Sequence, residues 1–360
     1  MPDSGPPVRR HHVAVIPGDG VGPEVIAQGC RVLERASSLY GFQLALDELP
    51  WGSAYHRRHG RMMPDDALET LRHYDSLYFG AVGTPELPDD YTLWNLLFPI
   101  RRALDLYVNL RPVRLFRGVP GPLARVPDGE SIDFVVVREN TEGEYTRLGG
   151  RSPGAAGDEL ALQTAKFTWR GTERVLEHGF GLASGRGLLT SVTKSNALVH
   201  SMTFWDEVAQ RVAARHPEVA WERMHVDAAA YRMVKDPWRF KVLVASNLFG
   251  DILSDLGAGL GGSIGLAPSA NLHPGRRPNL FEPVHGSAPD LAGQGIANPV
   301  GAVWSASMLL DDLGEEGAGA AVLGAIERVL EAGLHTPDLG GRARTGEVGD
   351  ALVEAIEPAG

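Results

Sequence analysis

Short apolar runs alternate with amphipathic segments along most of the chain, and polar or glycine-rich turns separate them. Five of the runs have the length and the β-branched content of buried strands, namely Val13–Ile16, Ser76–Val82, Ile132–Val137, Leu188–Val192 and Val242–Ala245. After the first run, apolar residues recur at helical spacing at Val25, Val32, Leu33 and Ala36. Strands that alternate with helices predict an α/β fold with a largely parallel sheet.

Glycine and proline interrupt this pattern in two places. Residues 146–158 (TRLGGRSPGAAGD) predict an exposed loop or a small excursion from a domain. Residues 257–289 hold too many helix breakers for a helix and too many apolar residues for a linker, so we expect a return crossing between domains, beside a ligand. Beyond Val300, the segments AVWSASMLL and AVLGAIERVLEAG predict two amphipathic helices.

Length and composition narrow the class of protein. A chain of 360 residues with 43% hydrophobic and 22% charged residues predicts about two packed domains. A single cysteine excludes a disulfide scaffold, and no apolar run approaches a membrane span. The N-terminus lacks the apolar core of a signal peptide, so we expect a cytoplasmic protein. With 34 basic and 45 acidic residues, the net charge of −11 argues against a nucleic-acid partner.

Four apolar runs end in polar clusters: PGDGVGPE after Ile16, RENTEGEY after Val137, TKSN after Val192 and SNLFGDILSD after Ala245. In open α/β sheets, ligands bind outside the carboxyl ends of the strands. We therefore expect the four clusters to converge on one site.

Asp251 and Asp255 are spaced i,i+4, which places both carboxylates on one face of a helix. Such hard oxygen ligands suit Mg²⁺ or Mn²⁺, with a substrate completing the coordination shell. The alternative is that Asp251 favours a helix N-terminus and that Asp255 is solvated.

Three arginines are candidate substrate ligands. Arg101 and Arg111 lie ten residues apart around an apolar segment, and Arg138 directly follows a predicted strand. Guanidinium groups bind carboxylates in a bidentate manner, so convergent arginines suit a di- or tricarboxylate. Ion pairs on the surface of an acidic protein are the alternative.

Lys194 in TKSN and Tyr145 at the end of RENTEGEY are candidates for proton transfer. Arginines and a divalent cation nearby disfavour the ammonium form of a lysine, which suits Lys194 as a general base. Tyr145 is the candidate proton donor. For each residue the alternative is an ordinary polar position at the end of a strand.

The segment from His285 to Asp290 (HGSAPD), with Asn298 eight residues later, predicts a loop around a small ligand. The carboxylate of Asp290 suits the hydroxyl groups of an adenine ribose and would repel a 2′-phosphate, which favours NAD over NADP. A Pro-Asp turn is the alternative. The glycine loop at residues 18–22 lacks the GxGxxG spacing, which disfavours a standard Rossmann site.

Taken together, these motifs resemble those of a known family. PGDGVGPE, RRALDLYVNLRP, VRENTEGEY, TKSN, VDAAA, SNLFGDILSD, GSIGLAPSAN and EPVHGSAPD are similar, in order, to the β-decarboxylating dehydrogenases of isocitrate, isopropylmalate, homoisocitrate and tartrate or D-malate. The resemblance covers residues 11–356. It implies a two-domain isopropylmalate/isocitrate dehydrogenase-like fold, with one α/β domain from residues 1–104 and 258–360 and a second from residues 105–257.

The resemblance also implies a homodimer with shared active sites. Arg101, Arg111, Arg138, Tyr145, Asp251 and Asp255 would come from one subunit, and Lys194 and Asp227 from the other, with Asp227 as a third metal ligand. The positions that match the NAD contacts are His285, Gly286, Ser287, Ala288, Asp290 and Asn298. A monovalent cation, K⁺, is a further candidate cofactor.

The segment before Arg101 distinguishes the substrate branches of the family. Trp94 stands where isopropylmalate enzymes usually carry glutamate, and Leu97 stands where isocitrate enzymes carry asparagine. The TLW segment, WGSAYHRRHGRMMP and YFGAVGTPELPDD resemble the tartrate/D-malate branch. We expect Trp94 to narrow the substrate pocket beside Leu97. The resemblance thus implies NAD-dependent oxidative decarboxylation of D-malate or turnover of tartrate. The alternatives are a 3-isopropylmalate dehydrogenase and a non-catalytic metabolite-binding protein.

Overall fold

The computed structural model of the chain describes residues 8–155 and 157–358. Over these residues the strands, in chain order, are β1 (Arg10–Gly18), β2 (Gln43–Glu48), β3 (Ser76–Ala81), β4 (Val108–Arg114), β5 (Asp133–Glu139), β6 (Gly149–Ser152), β7 (Leu160–Gln163), β8 (Leu189–Thr193), β9 (Trp221–His225), β10 (Val242–Ala245), β11 (Pro268–Leu272) and β12 (Asn279–Pro283). All five predicted strands are present, as β1, β3, β5, β8 and β10.

The α-helices of the same residues are α1 (Gly22–Tyr40), α2 (Ser53–His59), α3 (Ala67–Leu71), α4 (Asp89–Thr92), α5 (Phe98–Ala103), α6 (Trp169–Arg186), α7 (Ser201–Ala213), α8 (Val226–Lys235), α9 (Asn247–Leu260), α10 (Val300–Asp312), α11 (Glu316–Glu331) and α12 (Thr345–Ala355). A π-helical turn spans Leu93–Leu97 between α4 and α5. Short 3₁₀ turns span Pro237–Arg239, Ile264–Leu266 and Pro337–Leu339.

The chain divides into two compact units. The first contains residues up to Leu104, Leu115–Ala124 and the residues from Gly261 onward, and the second contains Asp105–Arg114 and Arg125–Leu260. Residues 115–124, which we expected in the second domain, therefore lie in the first unit. They are held there by packing, since the ring of Phe116 lies edge-on to Trp304 of α10 at 5.0 Å between centroids.

In the first unit, the strand order is β2-β1-β3-β12-β11, and all neighbours are parallel except β11 and β12. The helix α1 buries Val25, Val32, Leu33 and Ala36, as their spacing predicts. The helix α10 is buried along most of its length because it packs on β12, α1 and α11 at once. The prediction of an amphipathic helix was therefore wrong for this segment.

In the second unit, the strand order is β4-β5-β10-β8-β9, with β4 antiparallel to β5 and the other neighbours parallel. The helix α9 packs on β4 and β5, and α6 packs on β5 and β10. The predicted α/β class with a largely parallel sheet is confirmed in both units.

The two breaker-rich segments adopt more regular structure than the sequence indicates. Part of residues 146–158 belongs to an antiparallel hairpin of β6 and β7 in which every strand residue is exposed. Residues 257–289 include the end of α9 and the buried strands β11 and β12. None of the helices in the described residues combines the length and apolarity needed to cross a membrane.

Gly250 determines how closely α9 approaches β5. A Cβ atom at this position would lie 2.6 Å from Cβ and 2.7 Å from Cγ of Arg138. We expect Gly250→Ala to lower the free energy of unfolding by about 1–3 kcal/mol in denaturant titrations, because the helix must move away from the strand. The control Gly181→Ala in α6, where a Cβ atom meets nothing within 4 Å, should be neutral or slightly stabilising. Equal losses in the two variants would contradict the packing argument.

Candidate active site

Two of the polar clusters meet at the carboxyl ends of β5 and β10, which are neighbours with Arg138 paired to Ala245. Arg138 donates from Nη1 to Oδ1 of Asp251 on α9. Arg111 on β4 donates from Nη1 to the same oxygen at 3.2 Å and to Asp255 Oδ1 at 3.3 Å. Both guanidinium groups are buried. The alternative of surface ion pairs is therefore wrong for these arginines, which are fixed inside the second unit.

Side chains that the sequence reasoning missed hold Arg138 in place. Asn247, at the start of α9, accepts from Arg138 Nε at 2.9 Å and donates to the carbonyl oxygen of Glu142 at 3.0 Å. Buried Glu139 accepts from the backbone N–H groups of Thr141 and Glu142, which fixes the turn that follows β5. Their signal in the sequence is their position within the polar clusters that follow two predicted strands.

Tyr145 reaches the same carboxylate group from that turn. Its hydroxyl donates to Asp251 Oδ2 at 2.7 Å, and the guanidinium carbon of Arg138 lies 5.5 Å from the centre of its ring. Burial, the hydrogen bond and the negative charge of Asp251 raise the pKa of Tyr145 to about 12, against the opposing effect of the two arginines. The hydroxyl group of Tyr145 is therefore protonated at neutral pH, as its hydrogen bond to Asp251 requires.

Asp251 and Asp255 project from one side of α9, as their spacing predicts. Burial and the charge of Asp251 raise the pKa of Asp255, while Arg111 and Arg138 oppose this effect. Within residues 8–155 and 157–358, no three histidine, cysteine, aspartate or glutamate side chains form a metal-binding group. Asp227 thus does not complete a three-carboxylate cluster within one chain.

Lys194 and Asp227 form a separate pair at the ends of β8 and β9. Lys194 follows β8, Asp227 lies in the first turn of α8, and Nζ lies 2.6 Å from Oδ1. This hydrogen bond lowers the pKa of Asp227. In the chain alone, Lys194 is therefore held in an ion pair, where the sequence led us to expect cationic neighbours.

Arg101 lies in the first unit, on α5, and is buried. It donates to Glu282 Oε1 on β12 at 2.5 Å, and Asn271 donates to the same oxygen at 2.8 Å. The Nε atoms of Arg101 and Arg111 are buried and have no hydrogen-bond partner among the residues that the structure describes. Glu282 was not predicted, although it is the first residue of EPVHGSAPD.

The two predicted specificity residues have different environments. Leu97 is buried, whereas Trp94 is partly exposed. The guanidinium carbon of Arg102 lies 4.6 Å from the centre of the Trp94 ring. Trp94 is thus packed against Arg102, the neighbour of Arg101.

The predicted cofactor loop borders a cavity of about 380 Å³ in the first unit. Of the six predicted residues, His285, Ala288 and Asn298 line it, while the exposed Asp290 does not. The other lining residues are mostly apolar, and they include Val21, Ile264, Leu291 and Ile296 as well as Asp338. Burial lowers the pKa of His285, so a neutral imidazole faces this largely apolar cavity.

The glycine loop holds the cofactor loop through its backbone. The N–H group of Val21 donates to the carbonyl oxygen of Ser287 at 2.8 Å, and a Cβ atom on Gly20 would lie 1.9 Å from that oxygen. Asp19 accepts from the backbone and the hydroxyl of Ser53 and from the N–H group of Gly83. Close backbone approach thus explains these glycines, in agreement with their departure from the dinucleotide motif.

Comparisons with known proteins show which proteins the chain resembles. Residues 12–352 match the model of the family described as isocitrate/isopropylmalate dehydrogenase. The D-malate dehydrogenase [decarboxylating] of Escherichia coli (strain K12) is 51% identical, with 97% of this chain and 99% of that protein covered. The tartrate dehydrogenase/decarboxylase of Pseudomonas putida is 49% identical over the same shares. The isocitrate dehydrogenase structure from Methylococcus capsulatus has a TM-score of 0.87 and 34% identity, covering 96% and 99% of the two chains.

The raised pKa of Tyr145 can be tested by alkaline titration of phenolate absorbance. The difference between the parent protein and Tyr145→Phe isolates this residue. We expect Tyr145 to remain protonated at about pH 10.5, where an ordinary tyrosine is mostly ionised. Asp251→Asn should lower its pKa, because it removes a negative charge that opposes the phenolate, and Asp255→Asn, which does not contact the hydroxyl, should lower it less. Ionisation of Tyr145 near pH 10 in the parent would contradict the prediction.

Proposed function

The chain belongs to the isocitrate/isopropylmalate dehydrogenase family, and we propose its function on that basis. The enzyme oxidises and decarboxylates D-malate to pyruvate and CO₂ with NAD and a divalent metal ion, and tartrate is its second substrate. Relatives of about half identity over nearly the whole chain carry the names D-malate dehydrogenase and tartrate dehydrogenase/decarboxylase, which supports this function over that of a 3-isopropylmalate dehydrogenase.

The observation that carries the proposal is the group of Arg111, Arg138, Asp251 and Tyr145. The carboxylate of Asp251 accepts hydrogen bonds from the two buried guanidinium groups and from the protonated phenol of Tyr145. The same carboxylate can bind a metal cation. A 2-hydroxy dicarboxylate presents carboxylates to the arginines and needs a proton at the carbon that loses CO₂. A protein that only binds metabolites has no need of this proton donor.

The residues present fit Mg²⁺ or Mn²⁺ as the metal. Asp251 and Asp255 offer oxygen atoms, which these ions prefer, and both side chains are partly accessible. The proposed third ligand is Asp227 of a second copy of the chain. A divalent ion held here lowers the pKa of the substrate hydroxyl and stabilises charge on its oxygen. Arg111 and Arg138 then exchange the aspartates for the carboxylates of the substrate.

Lys194 and Tyr145 have complementary roles in the proposed reaction. Lys194, acting through a water molecule, accepts the proton of the C2 hydroxyl as the hydride leaves C2. The 3-carboxylate is then β to a ketone and departs as CO₂, and its bonding electrons pass to C3 as an enolate. Tyr145 donates its proton to C3, which gives pyruvate. The hydroxyl group of Tyr145 carries this proton in the free chain, where it donates to Asp251.

The proposed cofactor site is the cavity beside His285. Its apolar lining and neutral imidazole suit an adenine ring, and Asn298 supplies an amide. When bound, NAD supplies the acceptor for the hydride from C2. Gly286, Ser287 and Ala288 are proposed to contact NAD, and the carboxylate of Asp290 is proposed to bind the ribose hydroxyls and to disfavour NADP.

The proposed assembly is a homodimer that shares its active sites. Apolar side chains of the second unit are more than half exposed on α8, on α9 and on the hairpin, namely Tyr231, Val234, Ile252, Leu148, Leu160 and Leu162. Exposed apolar surface of this kind is typical of an interaction site. Asp227 lies on α8 as well, so association through this surface would bring Lys194 and Asp227 to a second copy.

The proposed activity is tested by NADH formation from D-malate, meso-tartrate, L-tartrate and 3-isopropylmalate with Mn²⁺, with and without K⁺. We expect kcat/KM for D-malate to exceed that for 3-isopropylmalate by at least about tenfold. Removal of metal should abolish the activity, Mn²⁺ should restore it, and NADP should be the poorer cofactor. A preference for 3-isopropylmalate would identify the alternative dehydrogenase, and no turnover of any acid would favour a binding protein.

The shared active site is tested with heterodimers of differently tagged, inactive subunits. Lys194→Met and Asp255→Asn should each lower the activity by at least about a hundredfold in homodimers. A heterodimer of the two retains one intact site if the sites are shared, so about half of the parent activity should return. The control heterodimer of Lys194→Met with Asp227→Asn should stay inactive. An inactive first heterodimer would contradict the shared site.

A further inference from the structure

Arg174, near the start of α6, joins the segment before β4 to the turn that follows β5 (residues 140–145). Its Nη1 donates to Asp105 Oδ2 at 2.8 Å, and its Nη2 donates to Thr141 Oγ1 at 2.9 Å. Its guanidinium carbon lies 4.1 Å from the centre of the Tyr107 ring. Only 18% of the side chain is exposed, and the reaction proposed above gives this arginine no role.

Thr141 connects Arg174 to the buried carboxylate of Glu139. The hydroxyl group of Thr141 donates to Glu139 Oε1 at 2.8 Å, so it is an acceptor toward Arg174. The N–H groups of Thr141 and Glu142 donate to the two oxygens of the same carboxylate at 2.9 and 2.8 Å. A buried carboxylate is costly unless hydrogen bonds satisfy it. The Thr141 hydroxyl therefore keeps this orientation, and Arg174 is its donor.

The segment before β4 fixes the guanidinium group from the other side. Asp105 has a φ of 50°, a left-handed conformation that persists in a residue other than glycine where neighbouring contacts hold it. Asn140 donates from Nδ2 to the carbonyl oxygen of Leu106 at 2.8 Å and from its N–H group to that of Tyr107 at 3.1 Å. A planar guanidinium that lies on a ring and uses both Nη groups has little freedom to rotate.

The turn then runs from Thr141 to Tyr145 against the start of α9. The carbonyl oxygen of Glu142 accepts from Asn247, and a Cβ atom on Gly143 would lie 3.0 Å from Cβ of Asn247. The hydroxyl group of Tyr145 donates to a carboxylate of the same helix at 2.7 Å. The turn is short, so a shift at Thr141 moves Tyr145 as well. A displacement of about 1 Å can lower the rate of a reaction about a hundredfold.

We propose that Arg174 is a positioning residue for the proton donor: it fixes the turn after β5 through Thr141 and thereby holds Tyr145 in place to protonate C3 of the substrate. This inference rests on the proposed function, because it requires Tyr145 to act as the proton donor. Protonation of C3 follows hydride transfer. Loss of Arg174 therefore impairs the decarboxylation step and leaves hydride transfer intact.

Oxaloacetate separates the two steps. Its reduction moves a hydride from NADH to C2 and a proton to the C2 oxygen, whereas its decarboxylation leaves an enolate that takes a proton at C3. Arg174→Met removes both donors and keeps an unbranched side chain that can pack on Tyr107. With Mn²⁺, we expect this variant to lower the decarboxylation of oxaloacetate in the presence of NAD at least about tenfold, and to change its reduction by NADH less than about threefold. Tyr145→Phe should show the same selective loss. The rate in protein-free Mn²⁺ solution is subtracted.

Thr141 and Arg186 provide matched controls. Thr141→Val removes the hydroxyl group that accepts from Arg174 and should reproduce the selective loss, whereas Thr141→Ser keeps a hydroxyl group and should retain both reactions. Arg186, at the other end of α6, pairs with Asp133 of β5 at 3.5 Å. Arg186→Met thus removes an arginine ion pair between the same helix and the same strand, and it should leave both reactions within about twofold of the parent.

Amide hydrogen exchange in the free protein examines the turn without any reaction. In Arg174→Met, the N–H groups of Thr141 and Glu142 should exchange at least about tenfold faster than in the parent, while those of β5 stay protected. Arg186→Met should leave both sets unchanged. Thermal unfolding is followed for each variant, and Thr141→Val replaces Arg174→Met in both experiments if the latter does not fold.

The outcomes separate this inference from the proposed function. Faster exchange in the turn together with selective loss of decarboxylation supports the inference. Unchanged exchange overturns it, and so does an active variant that loses both reactions equally or loses neither. A parent protein that acts on none of the acids contradicts the proposed function, and the catalytic part of the inference falls with it.

Discussion

The carboxylate of Asp251 is the group on which the candidate active site depends. It accepts from Arg111, Arg138 and Tyr145, and both arginines are buried. Unpaired guanidinium groups inside a protein are strongly unfavourable, so Asp251 allows the second unit to fold with both buried guanidinium groups already in place. The hydrogen bond and the charge of Asp251 add to the effect of burial in raising the pKa of Tyr145, and the contact of Asp251 with Arg138 connects α9 to β5. The carboxylate of Asp251 thus neutralises the two arginines in the free chain, and in the proposed reaction the arginines exchange it for the carboxylates of the substrate.

The strands were predictable where local pattern and tertiary environment agree. The segments of β1, β3, β5, β8 and β10 are buried, continuous apolar runs, which is the pattern of a parallel sheet covered on both faces. Strands β11 and β12 were not predicted because their segments contain prolines and buried polar residues. Asn271 donates to Glu282 and Asn279 donates to Asp312, and the local pattern of apolar residues does not show these partners. The burial of α10 depends in part on α1, which lies near the other end of the chain, and the residues of α10 do not reveal this contact.

Arg138 and Asp251 were predictable as candidates because carboxylate binding and metal binding use these residue types, and both occur in polar clusters that follow predicted strands. Their partners were not, since Arg138 and Asn247 are 109 positions apart and Arg101 and Glu282 are 181 apart. Spacing arguments also assume a regular helix. The π turn at Leu93–Leu97 breaks that assumption, and Pro99, which has no N–H group to donate to the carbonyl oxygen of Asn95, lies two residues after its end. The proline signals a break in the helix, but the position of Trp94 could be seen only in the structure.

The hairpin of β6 and β7 has a consequence for how the protein responds to dilution. Its eight strand residues are all exposed, and a two-stranded hairpin is marginally stable when nothing packs on it. In the proposed dimer, the second copy supplies the missing packing surface. The order of this hairpin then becomes a function of protein concentration through mass action. Backbone amides of Gly149–Ser152 would exchange with solvent faster as the protein is diluted, while those of the buried strand β5 would not.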